Sequence, residues 1–284
     1  MYFQLIQNKV TEWFKSHDCT MRQLIDYIVR QGMMRDAQIE AVKTYLYLKI
    51  VCGNRPLWQL FTEGQFNAAS DDYESMPLTT EAREILKNNK AAEALFQYSR
   101  LTDRNNRQLS PVLEEFIKQH PQAIDYEQAF KDIFYGVDYP DFIYSLPMGA
   151  GKTFLMATFI YIDLYLAMQE PDNKAFAHNF MIFAPSGLKN SIVPSLKHIQ
   201  DFDPTWILPD PTASQIRKII SFEVLDEQKT AKNSNLVKNP NAQKINNHQP
   251  LSDLFGLVAV TNAEKVVLDK IDKDRGLERN LYTE

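Results

Sequence analysis

Apolar residues recur at helical spacing through the first part of the chain. Ile39, Val42, Leu46 and Ile50 fall three or four positions apart, which puts them on one face of a helix. The same spacing predicts helices over residues 3–15, 21–31 and 36–50. Gly53 and Pro56 break the pattern in "GNRPLWQLF", and the polar, turn-rich stretch 62–80 reads as a loop. A helix is predicted again over 81–100. Ser110 followed by Pro111 reads as an N-cap and a first helical residue, opening a helix to about residue 119. Asp125 with Gln128 three positions on resembles a capping box and opens a helix to about residue 135.

Near residue 140 the pattern changes. "DFIYSL" is a short apolar run ending at Pro147, which predicts a buried strand. A glycine turn follows, then a helix from about residue 152 to 168. "NFMIFAP" (179–185) predicts a second buried strand, and "SGLKNSIVPSLKHI" opens another helix with Pro194 near its first turns. "IRKIISFEVL" (216–225) and "LFGLVAV" (254–260) predict a third and a fourth strand. Strands alternating with helices imply a parallel α/β sheet. The segment between the last two strands is rich in Asn and Lys and has no aromatics. It reads either as a solvated loop or as a loop facing nucleic acid, with Lys229, Lys232, Lys238 and Lys244 near phosphates.

Composition narrows the function classes. The 284 residues allow one large domain or two modest ones, and 44% hydrophobic residues suffice for a packed core. A net charge of -5 argues against a broadly basic nucleic-acid binder but leaves room for a local basic groove. Cys19 and Cys52 sit in no CxxC or Cys/His cluster, so no zinc site or disulfide framework is expected and a reducing cytoplasm fits. The N-terminal stretch lacks the apolar core of a signal peptide. The most apolar run, "FLMATFIYIDLYLAM", is too short for a membrane span and contains Asp163. A soluble cytoplasmic protein without a membrane partner is the expectation.

"SLPMGAGKTFLM" carries the candidate chemistry. A Walker A motif asks for Gly, four residues, then Gly-Lys-Ser/Thr. Gly151, Lys152 and Thr153 match its end, while Leu146 stands at the first position. A predicted strand before the motif and a predicted helix after it supply the right context. Gly149 and Gly151 permit a close backbone approach to phosphate, and amides at the helix start bind its oxygens. Pro147, Met148, Gly149, Ala150, Gly151, Lys152 and Thr153 are therefore the candidate ATP-binding residues. Lys152 would contact the β- and γ-phosphates, and the Thr153 hydroxyl would ligate Mg²⁺.

At this point the chain resembles superfamily 2 helicases and translocases of the DEAD/DEAH-box type. "LPMGAGKT" resembles their motif I, with Met148 in place of the usual Thr. "FAPSGLKNSI" is similar to their motif Ia, which implies nucleic-acid contacts from Pro185, Ser186 and Lys189. "LVAVTNAEKV" lies where motif Ib or Ic would, which implies backbone contacts from Thr261 and Asn262. "MRDAQIEAVKTYL" looks like the Arg-x-x-Gln segment whose glutamine reads adenine, matched by Arg35 and Gln38. Residues 51–140 separate it from the glycine turn, and Gln128 has the better spacing but the poorer flanks. Within the superfamily the general look is that of the restriction subunit of type III restriction enzymes. That resemblance implies ATP-driven movement on double-stranded DNA and a second RecA-like domain. It also implies an accompanying nuclease domain and a methyltransferase (modification) subunit as partner.

Hydrolysis requires an Asp to hold Mg²⁺ and a Glu to orient water. Asp226-Glu227 is the one candidate pair, at the end of an apolar run. Glu223 interrupts that run, Lys229 follows the pair, and another strand comes later. The chain is therefore read as ending before motif II, binding nucleotide weakly and not turning it over alone. The expected fold is a partial RecA-like P-loop NTPase domain over 140–284, a parallel sheet flanked by helices. It carries a helical N-terminal segment (1–50) and a mainly helical insertion (51–139). Two other readings remain open at this level: a P-loop ATPase of another class, such as a packaging motor or small-molecule kinase, or a non-catalytic binding module.

Overall fold

The computed structural model describes residues 2–68, 73–103, 105–146, 149–184, 197–224 and 255–262. The chain divides into two compact units, Met1–Asp26 with Arg35–Pro147, and Tyr27–Met34 with Met148–Glu284. The described part is mixed α/β and mostly helical, with one small parallel sheet. Among the described residues no helix is long and apolar enough to cross a membrane.

The first unit is helical. In chain order its elements are α1 (Tyr2–Lys15), the start of α2 (Arg22–Gln31), and α3 (Asp36–Leu46) running into a π-turn (Tyr47–Val51). Then come α4 (Leu57–Thr62), α5 (Thr80–Asn88), α6 (Lys90–Ser99), α7 (Pro111–Gln119) and α8 (Tyr126–Ile133). The helix predicted over 81–100 is two helices, because the Asn89 side chain accepts the Ala91 and Ala92 amides and starts α6 there. A carboxamide that caps within a helix-like run is what ends the first helix. Asp125 caps α8 through the Gln128 amide, as its spacing predicts. Pro111 opens α7 as predicted, but the Ser110 side chain makes no capping bond.

Aromatic side chains fill this unit. Phe61 is fully buried and stands against Tyr2, Phe66, Phe130 and Phe134 at centroid distances of 4.7–5.4 Å. The Tyr2 ring also stacks on Tyr98 at 4.2 Å. Cys52 lies buried at the end of the π-turn, where burial pushes its thiol up to about 12. A thiol so protonated is a poor nucleophile and serves as a small apolar group. Both cysteines are free.

The second unit holds α9 (Lys152–Gln169), β1 (Asn179–Ala184), α10 (Thr212–Ile219), β2 (Ser221–Val224) and β3 (Leu257–Asn262). The strands are parallel in the order β1-β3-β2, with Asn179 opposite Leu257 and Ser221 opposite the same Leu257. In the central strand, Leu257 through Val260 are all buried. That explains why β3 reads as a continuous apolar run. At its start Gly256 takes φ +84°, donates its N–H to His178 O at 2.7 Å and accepts Ser221 N–H at 2.9 Å. One residue thus ties the amino ends of all three strands.

Two strand expectations change. Residues 141–146 form no strand and join no ladder among the described residues. Phe142, Tyr144 and Leu146 are half-buried, while Asp141, Ile143 and Ser145 are exposed, with Ile143 at 88%. The run packs one face only, whereas a central strand of a parallel sheet needs both faces covered. The third predicted strand is shorter than 216–225, since its first residues end α10. Ala213 and Ile216 are buried three positions apart, a helical period, and the strand begins only at Ser221.

Candidate phosphate-binding turn

Gly149 and Gly151 both adopt left-handed backbone angles, φ +76° and +77°. An L side chain is strained in that region. A Cβ at Gly149 would meet nothing within 4 Å, so conformation rather than space demands glycine there. Gly151 is the N-cap of α9, an 18-residue helix whose first backbone bond runs from Leu155 N to Gly151 O at 3.0 Å. The amides of Lys152, Thr153 and Phe154 therefore precede the helical ladder. With the helix macrodipole they form an anion-attracting end. Lys152 is exposed and Thr153 is half-buried. The local backbone thus offers three amides at a helix start that could receive an anion such as phosphate.

The helix behind the turn is apolar nearly all round, with Leu155, Ala157, Ile160, Ile162, Leu164 and Leu166 buried. Phe154 extends the core toward the turn. Its ring stacks on Trp206 and meets Phe202 edge-on. Asp203 holds the short helical turn Pro204–Trp206 by accepting the Thr205 amide and hydroxyl, and it pairs with Arg217 at 2.7 Å. Burial alone would raise the Asp203 carboxyl, but these partners hold it below its ordinary value. The sequence reading did not single out Phe154, Phe202 or Trp206. Only an aromatic directly after Gly-Lys-Thr could have signalled them.

The remaining sequence candidates fall in three places. Pro147, Met148, Pro185, Ser186, Lys189, Asp226 and Glu227 lie outside the described residues. β1 ends at Ala184, just before Pro185, and Ala184 pairs with Asn262 while Phe183 pairs with Thr261. The carboxyl ends of the two strands that lead to the candidate nucleic-acid residues are thus neighbours. In open parallel sheets that end carries the ligand crevice. β2 ends at Val224, two positions before Asp226, and Glu223 sits in its ladder opposite Ala259.

Arg35 and Gln38 belong to the helical unit. Gln38 is 4% exposed, and its side-chain oxygen accepts the Arg35 N–H at 2.9 Å, so it helps start α3. Gln128 donates its side-chain amide to Asp132 at 2.7 Å. Both glutamines considered for adenine thus have structural work at or near a helix start. Among the described residues no group of three or more His, Cys, Asp or Glu side chains is placed to hold a metal ion. A Mg²⁺ ion held chiefly by phosphates and water needs little from the protein, and the Thr153 hydroxyl at the helix start fits that need. Comparison with protein-family models, curated proteins and solved structures found no match.

Proposed function

We propose that this chain is the ATP-binding N-terminal part of a DNA-dependent ATPase of the superfamily 2 helicase and translocase type. The restriction subunit of a type III-like restriction or phage-defence system is the form it takes. One observation carries the reading: two left-handed glycines deliver the chain into Lys152-Thr153 at the start of a long helix, in the unit that also holds a parallel sheet. In this reading the amides of Lys152, Thr153 and Phe154 bind phosphate oxygens, and Lys152 neutralises the β- and γ-phosphates. The Thr153 hydroxyl holds Mg²⁺, which screens the charge that develops as the phosphate leaves. Ser186 and Lys189, which follow β1 in the sequence, and Thr261 and Asn262, at the carboxyl end of β3, contact the DNA backbone. Double-stranded DNA, a second RecA-like domain and a modification subunit are the proposed partners, in the cytoplasm.

The test is ATP turnover by the full-length protein with and without double-stranded DNA. Stimulation by DNA that disappears in Lys152→Ala is the expected result. Turnover indifferent to both DNA and the substitution would contradict it.

A second reading, a P-loop ATPase of another class, has one observation in its favour. β2 leads directly toward Asp226-Glu227, the position of a metal-binding and water-orienting pair. The two readings separate on Glu227→Gln. It leaves DNA-stimulated turnover intact under the first and abolishes turnover under the second.

A further inference from the structure

The phosphate turn is seated by an aromatic block drawn from a distant part of the chain. Phe154 supplies the last of the three amides ahead of the α9 ladder, and its ring lies on Trp206 with centroids 5.5 Å and planes 15° apart. Phe202 meets both rings, at 5.0 Å from Phe154 and 5.3 Å from Trp206. Tyr161, two turns further along α9, stacks on the other partner of Phe154, at 5.2 Å from Phe202. Phe202 and Tyr161 are buried, while Phe154 and Trp206 are half-buried. The Thr158 hydroxyl donates to the Phe154 carbonyl at 2.9 Å, which adds a bond to this residue from within the helix. The Asp203 cap and the Arg217 ion pair fix the Pro204–Trp206 turn that carries the block. Phe154 therefore has an amide ahead of the α9 ladder and a side chain packed against the aromatic block.

We infer that Trp206, with Phe202, is a positioning residue for the phosphate site. It acts through Phe154 to hold the first-turn amides of α9 in a convergent geometry. This rests on the phosphate-binding reading of residues 149–153. Aromatic packing of this kind is directional, so losing the ring frees the tilt of the first turn as well as removing surface. Preorganised donors bind an anion better than donors that must be ordered on binding.

The experiment compares a fluorescent ATP analogue, with Mg²⁺, on the wild-type chain, Trp206→Ala, Trp206→Phe and Lys152→Ala. Circular dichroism at the assay temperature establishes that each is folded. Trp206→Ala is expected to bind about five- to tenfold more weakly, and Trp206→Phe, which keeps an aromatic ring, to bind close to wild type. A purely structural role would lower the melting temperature of Trp206→Ala and leave its affinity unchanged, which overturns the inference. Equal weakening by Trp206→Phe and Trp206→Ala also overturns it. If Trp206→Ala fails to fold, Phe154→Leu takes its place, since it keeps apolar volume and removes the stack. Weakening by Lys152→Ala without weakening by the aromatic variants defeats the positioning role alone. Absence of binding by the wild type defeats the phosphate site itself.

Discussion

Replacing Gly256 by alanine is expected to destabilise the sheet unit by about 2–4 kcal/mol. Two causes add. The residue sits at φ +84°, where an L side chain costs roughly 1–2 kcal/mol. A Cβ there would also lie 2.8 Å from the Ile219 carbonyl oxygen and 3.2 Å from the Ile220 Cα. Those are backbone atoms, so no rotamer change relieves the contact. The chain can yield only by moving, and Gly256 is bonded to His178 on one side and Ser221 on the other. Gly53→Ala is the fitting comparison, because Gly53 has φ +62° but nothing within 4 Å of its would-be Cβ. Urea unfolding followed by circular dichroism should show a larger loss for Gly256→Ala than for Gly53→Ala. Equal losses would mean that the close approach to Ile219 does not constrain the sheet.

The second large effect belongs to the helical unit. Phe61→Ala is expected to cost about 3–5 kcal/mol. Phe61 has no exposed surface, and four aromatic rings surround it. Those rings come from α1, α8 and the segments after α4 and α8, so they cannot collapse together into the space left behind. The loss is a large share of the roughly 5–15 kcal/mol by which a domain is stable. Val112→Ala, at a position on α7 that is 82% exposed, should change stability by no more than about 0.5 kcal/mol. A small effect of Phe61→Ala in the same denaturation experiment would show that the aromatic cluster is not the core of this unit.

Local signals were legible in the sequence where one period or one backbone demand dominated. α1 and α2 follow their apolar spacing to within a residue or two, and the helix predicted over 36–50 is α3 followed by the π-turn Tyr47–Val51. β1 and β3 follow from unbroken apolar runs. The glycine turn was legible because Gly-x-Gly before Lys-Thr requires particular backbone angles, and both glycines take them. What failed depended on partners that the pattern does not name. Residues 141–146 have strand-like content, yet whether one face or two is covered is set by tertiary packing. The break at Asn89 turns on one side chain choosing the backbone over solvent. The order β1-β3-β2 and the aromatic seat of Phe154 are long-range facts, with Phe202 and Trp206 far from Phe154 in the chain. The Gln38 side chain, which an Arg-x-x-Gln segment offers to adenine, accepts the Arg35 N–H at the start of α3, a bond that the spacing alone does not name.

The central claim is that residues 149–153 bind the phosphates of a nucleotide, and equilibrium titration tests it most directly. A fluorescent ATP analogue with Mg²⁺ is added to the wild-type chain and to Lys152→Ala, and unlabelled ATP is used to displace it. Saturable, ATP-displaceable binding by the wild type is predicted, weakened about ten- to hundredfold by Lys152→Ala through loss of a charge-assisted contact. Equal binding by the two proteins, or none by the wild type, would contradict it.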